Sequence, residues 1–140
     1  MIALRPTESY ELTLPDDVLQ ELDEGVSSFW RAHSGTALQL SSRLRSSGTQ
    51  VNAQQRLNDR MEMNQGLSTW VTLDGFRADW CPDVAAATCT KSNGWVWTHA
   101  YLVWPDLAVY ATVSRPPNED TKTDEWAIQA VKSIRRTSDN

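Results

Sequence analysis

The segment from Trp95 to Ser114 constrains the fold of this chain more than any other. Two runs of β-branched and aromatic residues flank Pro105-Asp106, a pattern typical of an antiparallel hairpin. With these two residues as the loop, alternate side chains fall on opposite faces. The register predicts these cross-strand pairs on one face: Trp104 with Leu107, Leu102 with Val109, Ala100 with Ala111, and Thr98 with Val113.

The two faces of the hairpin differ in chemistry. The face with these pairs is small and apolar, so we expect it to pack into the core. The opposite face is aromatic and polar. It carries Trp95, Trp97, His99 and Tyr101, with Tyr110, Thr112 and Ser114 across from them.

Alternating apolar and polar residues predict further strands before and after this hairpin. In Thr36 to Arg45, the leucines Leu38, Leu40 and Leu44 share one face. The other face carries Gln39, Ser41, Arg43 and Arg45. Asp74-Gly75 and Asn93-Gly94 are tight-turn signals. The remaining predicted strands are Tyr10 to Leu14, Val26 to Ala32, Leu67 to Leu73, Phe76 to Cys81 and Ala85 to Thr90.

Two amphipathic helices are predicted, with a helical turn at Val18 to Glu24. Asn52 and Gln55 form a capping pair that opens the first helix, which runs to about Met63 and stops by Gly66. Its apolar stripe is Ala53, Leu57 and Met61. The second helix is capped by Thr121 or Thr123, and its stripe is Trp126, Ala127, Ala130, Val131 and Ile134.

These elements predict one α+β domain over residues 1–140. An antiparallel sheet of about six to eight strands is flanked by two main helices, as an α/β/α sandwich.

Composition excludes several classes of function. A net charge of −5 and a pI near 4.9 argue against a nucleic-acid partner. No stretch reaches the roughly 20 apolar residues of a membrane span, and no signal peptide is visible, so we expect a cytoplasmic protein. Two Cys and two His are too few for a structural zinc site, and we expect no metal and no cofactor.

Charge is unevenly distributed along the chain. Residues 1–24 hold seven acids and one base, whereas residues 31–60 hold five Arg and one acid. This asymmetry could steer a partner or self-association, and a homodimer stays open. Ordinary variation of surface charge explains it as well.

Motifs for catalysis are weak. There is no Gly-rich phosphate loop, no HExxH and no GxSxG. A Cys-His pair is conceivable from Cys81 or Cys89 with His33 or His99, but nothing local supports it. Ser41 with Arg43 could form an anion site, although a polar outer strand face explains them better. We therefore expect no enzyme activity.

The aromatic face of the hairpin is the best functional lead, because Trp and Tyr are enriched at protein interfaces. A covering helix is the alternative. The candidate partner-binding residues are Trp95, Trp97, His99, Tyr101 and Tyr110, with Arg43 and Arg45 near the rim.

The order of these pieces resembles the superfamily of PsbP-like, Ran-release-factor-like and DcrB-like domains. The resemblance lies in Tyr10-Glu-Leu-Thr-Leu-Pro-Asp, in the Leu38–Leu44 strand before the helix at Gln54–Met63, and in Val109–Ser114 before a helix ending Val131-Lys-Ser-Ile-Arg. It implies an antiparallel sheet between helices and a binding role without catalysis. It carries over no individual functional residue. Where its chaperone branch has Pro-acid-Gly-Trp, this chain has Pro15-Asp-Asp-Val.

Together these observations predict a non-catalytic protein-binding domain, with a secretion-associated chaperone or an immunity-type protein among its roles. A small-molecule binding protein that uses the same face as a pocket wall is the first alternative. A deep enclosed cavity would favour it over a protein partner. A hydrolase with a Cys or Ser near His33 or His99 is the second.

Overall fold

The computed structural model describes residues 1–45, 50–64 and 68–137. Their elements are strands and two α-helices, with a short 3₁₀ turn at Thr121–Asp124. In chain order these are β1 (Ile2–Thr7), β2 (Tyr10–Leu14), β3 (Leu19–Glu21), β4 (Ser27–Trp30), β5 (Ala37–Leu44), α1 (Ala53–Met63), β6 (Ser68–Thr72), β7 (Asp83–Lys91), β8 (Val96–Val103), β9 (Leu107–Arg115), α2 (Glu125–Lys132) and β10 (Arg135–Arg136).

Seven of the strands form the main sheet, in the order β3-β4-β5-β9-β8-β7-β6, with antiparallel pairing throughout. A second sheet has the order β1-β2-β10. The predicted α+β class, with a main sheet of six to eight strands and two helices, is confirmed. No described helix is long and apolar enough to cross a membrane.

The hairpin at the centre of the sheet has the predicted register. Leu102 pairs with Val109, and Ala100 pairs with Ala111. The Trp104 amide donates to the Leu107 carbonyl at 2.8 Å, which closes the turn at Pro105-Asp106. The aliphatic face is therefore the core face, and Leu102 and Val109 have no exposed surface.

The main core lies between this aliphatic face and a layer made of α2 and the small sheet. Tyr10, Leu12 and Leu14 of β2 are buried there. All members of the predicted stripe are buried: Trp126, Ala127, Ala130, Val131 and Ile134. The first four lie on α2, whereas Ile134 lies beyond its last residue, Lys132.

Helix α1 packs on the other face of the sheet. Asn52 caps it as predicted, because its side chain accepts from the Gln55 amide at 2.8 Å. Ala53 and Leu57 are buried, and half-buried Met61 packs against them. The predicted stop at Gly66 lies outside the described residues.

Small side chains on β7 determine where α1 lies. Ala85 and Ala87 leave room for the backbone of α1 to approach the sheet. Leu57 fills this space against Tyr101, which comes from the neighbouring β8. The helix therefore covers only the part of the aromatic face around Tyr101.

Some local predictions were wrong. The Val18–Glu24 helical turn is the edge strand β3, because three residues there pair with β4. Phe76–Cys81 forms no strand beyond one isolated bridge, from Ala78 to Cys81. It belongs instead to the loop that connects β6 to β7. Leu44 is 61% exposed at the end of β5, outside the core.

The start of α2 and the chain's outer strands also differ from expectation. Neither Thr121 nor Thr123 caps α2. Asp120 caps the 3₁₀ turn instead, accepting from the Lys122 amide at 2.9 Å, and α2 begins at Glu125. The sequence patterns did not predict β1 or β10.

Ion pairs connect the strands of the small sheet to one another and to the main sheet. Glu11 in β2 is nearly buried and accepts from Arg5 and Arg135, the latter in β10. Arg136 donates to Asp106 in the β8–β9 turn at 2.7 Å. The C-terminal strand is thereby fixed to both sheets.

Candidate functional site

A groove of about 520 Å³ lies where α1 leaves the aromatic face open. Strands β5 to β9 supply its floor and walls, the end of α1 borders one side, and the β7–β8 turn borders another. We call it the aromatic groove and define it by Gln39, Trp70, Trp97, His99, Tyr110 and Thr112, with Arg60 and Lys91 at its margins.

The sheet register brings these side chains together. Trp70 lies opposite Cys89, and Cys89 lies opposite Trp97. In the next row, His99 lies opposite Thr112. Gln39 of β5 lies opposite Thr112 on its other side. Residues from five strands therefore face one surface, although up to 73 positions separate them in the sequence.

A row of three aromatic rings crosses the groove. The ring centroids of Trp97 and His99 are 6.4 Å apart, and those of His99 and Tyr110 are 5.9 Å apart. The ring centroids of Trp70 and His99 are 4.9 Å apart, and the two rings are tilted by 47°. The His99 Nδ1 atom and the Tyr110 hydroxyl are hydrogen-bonded at 2.5 Å. This bond and the flanking rings hold the imidazole in one orientation.

Two cations lie at the ends of this row. The Lys91 ammonium is 4.9 Å from the Trp97 ring centroid, and the Arg60 guanidinium is 4.5 Å from that of Tyr110. Arg60 also donates to the Tyr101 hydroxyl at 3.1 Å. The Lys91–Trp97 and Arg60–Tyr110 contacts have cation–π geometry.

The groove keeps His99 neutral at physiological pH. The pKa of His99 is lowered to about 4, chiefly by burial and also by the charges of Arg60 and Lys91. Burial also raises the pKa of Tyr110 to about 12. The row of rings is therefore uncharged at pH 7, and the positive charge of the groove comes from its margins.

A second pocket, of about 320 Å³, adjoins the groove and shares Ser41, Arg60 and Tyr110 with it. Arg43 from β5 and Arg56 from α1 also line it. Arginines that are far apart in sequence therefore lie on one side of the molecule.

The structure brings together part of the predicted site. Trp97, His99 and Tyr110 line the groove. Tyr101 is buried under α1 and lines the second pocket with Arg43. The other two predicted residues do not line the groove: half-buried Trp95 lies just before β8, and Arg45 lies just after β5.

The sequence patterns do not identify Trp70, Arg60 and Lys91 as groove residues. Trp70 lies within the predicted strand Leu67 to Leu73, and only the β6–β7 register shows which face it occupies. Lys91 precedes the predicted Asn93-Gly94 turn, so it could have been placed beside Trp97. Arg60 had no local signal, because its position depends on where α1 docks.

Of the candidate Cys-His pairs, Cys89 and His99 both line the groove. His99 bonds to Tyr110, and no described hydrogen bond joins a Cys or Ser to either histidine. Cys81 and Cys89 are free and buried, and burial raises the pKa of Cys81 to about 11. Within the described ranges, no cluster of three His, Cys, Asp or Glu side chains could hold a metal ion.

Comparison with known proteins supports the fold. No family model and no curated protein match this sequence. It is similar to a crystal structure from Bacteroides thetaiotaomicron, with a TM-score of 0.60 over 92% of this chain and 13% identity. This chain spans 45% of that chain's length, so the likeness concerns the shared fold alone.

Proposed function

We propose that this protein is a non-catalytic binding domain whose aromatic groove receives an apolar segment of a partner protein. The observation that carries the proposal is the row formed by Trp97, His99 and Tyr110, which α1 leaves only partly covered. Aromatic rings in a concave surface supply large apolar area with little loss of side-chain freedom on binding.

The shape of the groove favours a segment of chain. Its floor runs across strands β5 to β9 and ends at the turn before β8, so it is a trough rather than an enclosed chamber. An extended segment can lie in such a trough and place alternate side chains on the rings.

A small-molecule ligand is the second candidate function. The groove volume of about 520 Å³ favours it, because ligand pockets span roughly 300–1,000 Å³. Its lining also combines aromatic walls with polar side chains such as Gln39, Asn64 and Thr112, which could orient a ligand.

The finer roles belong to the same proposal. A secretion-associated chaperone or an immunity-type protein would each bind a partner segment in this way. The resemblance to PsbP-like domains fits a binding role in general, whereas Pro15-Asp-Asp-Val departs from the motif of their chaperone branch. A cytoplasmic location agrees with the two free thiols. A gene for a secreted effector beside this gene would support the chaperone role.

Selection from a random peptide library displayed on phage tests the main proposal. We expect enriched peptides to contain an apolar or aromatic residue and to change the tryptophan fluorescence of the protein on binding. Trp97→Ala should weaken that binding at least tenfold. Trp80→Ala is the matched control, since Trp80 is 60% exposed and lies outside the groove.

Two outcomes would contradict the proposal. One is a library that yields no binder, and the other is a set of binders that W97A and W80A affect equally. A small-molecule fragment that shifts the NMR signals of His99, without any peptide doing so, would favour the second candidate function.

A further inference from the structure

We infer that the partner segment in the aromatic groove is extended and that acidic residues flank the apolar side chain that it places on the rings, with a carboxylate at each end of the row. This inference rests on the proposed function and adds the chemistry and the spacing of the occupant.

The charge of the groove points to an anionic occupant. Among the described residues that line it, Arg60 and Lys91 are charged and none is Asp or Glu. The whole chain, by contrast, carries a net charge of −5. No described ion pair uses Arg60 or Lys91. Among the described ion pairs, the arginines are Arg5, Arg31, Arg115, Arg135 and Arg136.

A cationic occupant does not fit the same rings. Aromatic cages bind ammonium groups over open ring faces. Here the chain's own cations already lie over Tyr110 and Trp97. A cation from the partner would be repelled by Arg60 and Lys91, and the ring faces that it needs are already occupied by them. An apolar group flanked by carboxylates is not repelled by these cations and does not need those ring faces.

The spacing of the rings sets the spacing of the charges. Neighbouring ring centroids in the row are 6.4 and 5.9 Å apart. Lys91 lies over the ring at one end and Arg60 over the ring at the other. In an extended strand, side chains on one face recur about every 6.6 Å. An apolar residue at position i+2 can therefore cover His99, with acids at i and i+4 beside the two cations.

The second pocket extends the positive surface beyond Arg60. Arg43 is exposed there, and Arg56 lines the same pocket. Neither has a carboxylate partner among the described ion pairs. Further acidic residues in the segment, beyond the one beside Arg60, would therefore raise its affinity.

The chain itself contains this pattern, which makes self-association an outcome to test. Asp17, Leu19 and Glu21 are exposed at alternate positions in and beside the edge strand β3. Asp17 is already paired with Arg31, which favours a separate partner as the occupant.

Fluorescence anisotropy with three labelled nine-residue peptides tests the inference. The first has Glu at its third and seventh positions and Phe at its fifth, among Ser and Thr. The second has Gln in place of both Glu. The third has Glu at the fourth and sixth positions, so that charge is kept and spacing is lost.

We expect the first peptide to bind at least tenfold tighter than the second and several-fold tighter than the third. Its affinity should fall as NaCl rises from about 50 to 300 mM, because salt screens exposed charges. Lys91→Gln should remove most of its advantage over the second peptide. Lys122→Gln, in the 3₁₀ turn, is the matched control.

Equal binding of the first two peptides, or equal effects of K91Q and K122Q, would overturn the inference and leave the proposed function standing. If none of the three binds, the inference fails, and the library result then decides the proposed function. Self-association that both Leu19→Ser and Lys91→Gln abolish would make a second copy the occupant and would also overturn the inference.

Discussion

At the scale of single residues, His99 is the most constrained side chain of the groove. It is only 9% exposed, with Trp70 and Trp97 beside its ring and Tyr110 hydrogen-bonded to it. A histidine in such surroundings serves as a neutral hydrogen-bonding ring, because charging it would require a desolvated cation near Arg60 and Lys91.

The lowered pKa of His99 predicts a loss of stability in mild acid. The unfolded chain binds a proton near pH 6.5, whereas the folded chain binds it only near pH 4, so the free energy of unfolding falls as pH drops through this window. The expected loss is at most about 3 kcal/mol. Urea unfolding of the wild type and of His99→Gln between pH 7.5 and pH 4 measures it.

His99→Gln should show a shallower dependence on pH than the wild type over that window. His33→Asn is the control, since it removes the other histidine, which lies exposed in a turn with a positive φ of 66°. An NMR titration midpoint for His99 near pH 6.5 would contradict the prediction.

At the scale of elements, α1 determines how much of the aromatic face is open. Its start is fixed by the Asn52 cap and by the Ala53 amide, which donates to the Asp83 carboxylate at 3.1 Å. Its middle is fixed by Leu57 among the alanines of β7, and its end by Arg60 on Tyr101. The helix is thus both a cover for Tyr101 and a wall of the groove.

Leu57→Ala should destabilise the protein by about 2–5 kcal/mol, because it leaves a cavity under α1. Leu57 has no exposed surface, whereas Met63 in the same helix is 77% exposed. Met63→Ala should therefore change the free energy of unfolding by less than about 0.5 kcal/mol. Urea unfolding compares the two variants, and similar effects would show that α1 is not anchored through Leu57.

At the scale of the whole molecule, the two faces of the main sheet are covered differently. The aliphatic face is sealed by α2 and by the small sheet. The aromatic face carries α1 and the groove. Strands β1 and β10 flank β2 in the small sheet, where Glu11 binds Arg5 and Arg135.

Glu11→Gln should destabilise the protein at neutral pH and have little effect in acid. Hydrogen bonds from Arg135 and then Arg5 lower the pKa of Glu11. Its contribution is therefore present above the ordinary pKa of Glu and is lost as pH falls through the lowered value. Thermal unfolding at pH 7 and pH 3 measures this, with exposed Glu24→Gln as the control.

If the difference in melting temperature between E11Q and the wild type is the same at pH 7 and pH 3, Glu11 does not act through its charge. If E24Q matches E11Q at pH 7, the effect is one of net charge rather than of these ion pairs.

Much of the fold could be predicted because its signals are local. Alternation of side chains oriented both strands of the central hairpin, and the stripes of Leu57 and Trp126 oriented both helices. Two short strands could not be predicted, because their formation does not depend on local signals. Strands β3 and β10 span three and two residues and depend on partners elsewhere in the chain.

The sequence by itself determined the register of the hairpin and the contrast between its two faces, because strand periodicity and turn chemistry act over a few residues. Only the tertiary structure decided that α1 covers Tyr101 and leaves Trp97 at a groove. That outcome depends on Ala85 and Ala87, which let the helix approach one end of the face. The same long-range packing placed Arg60 beside Tyr110.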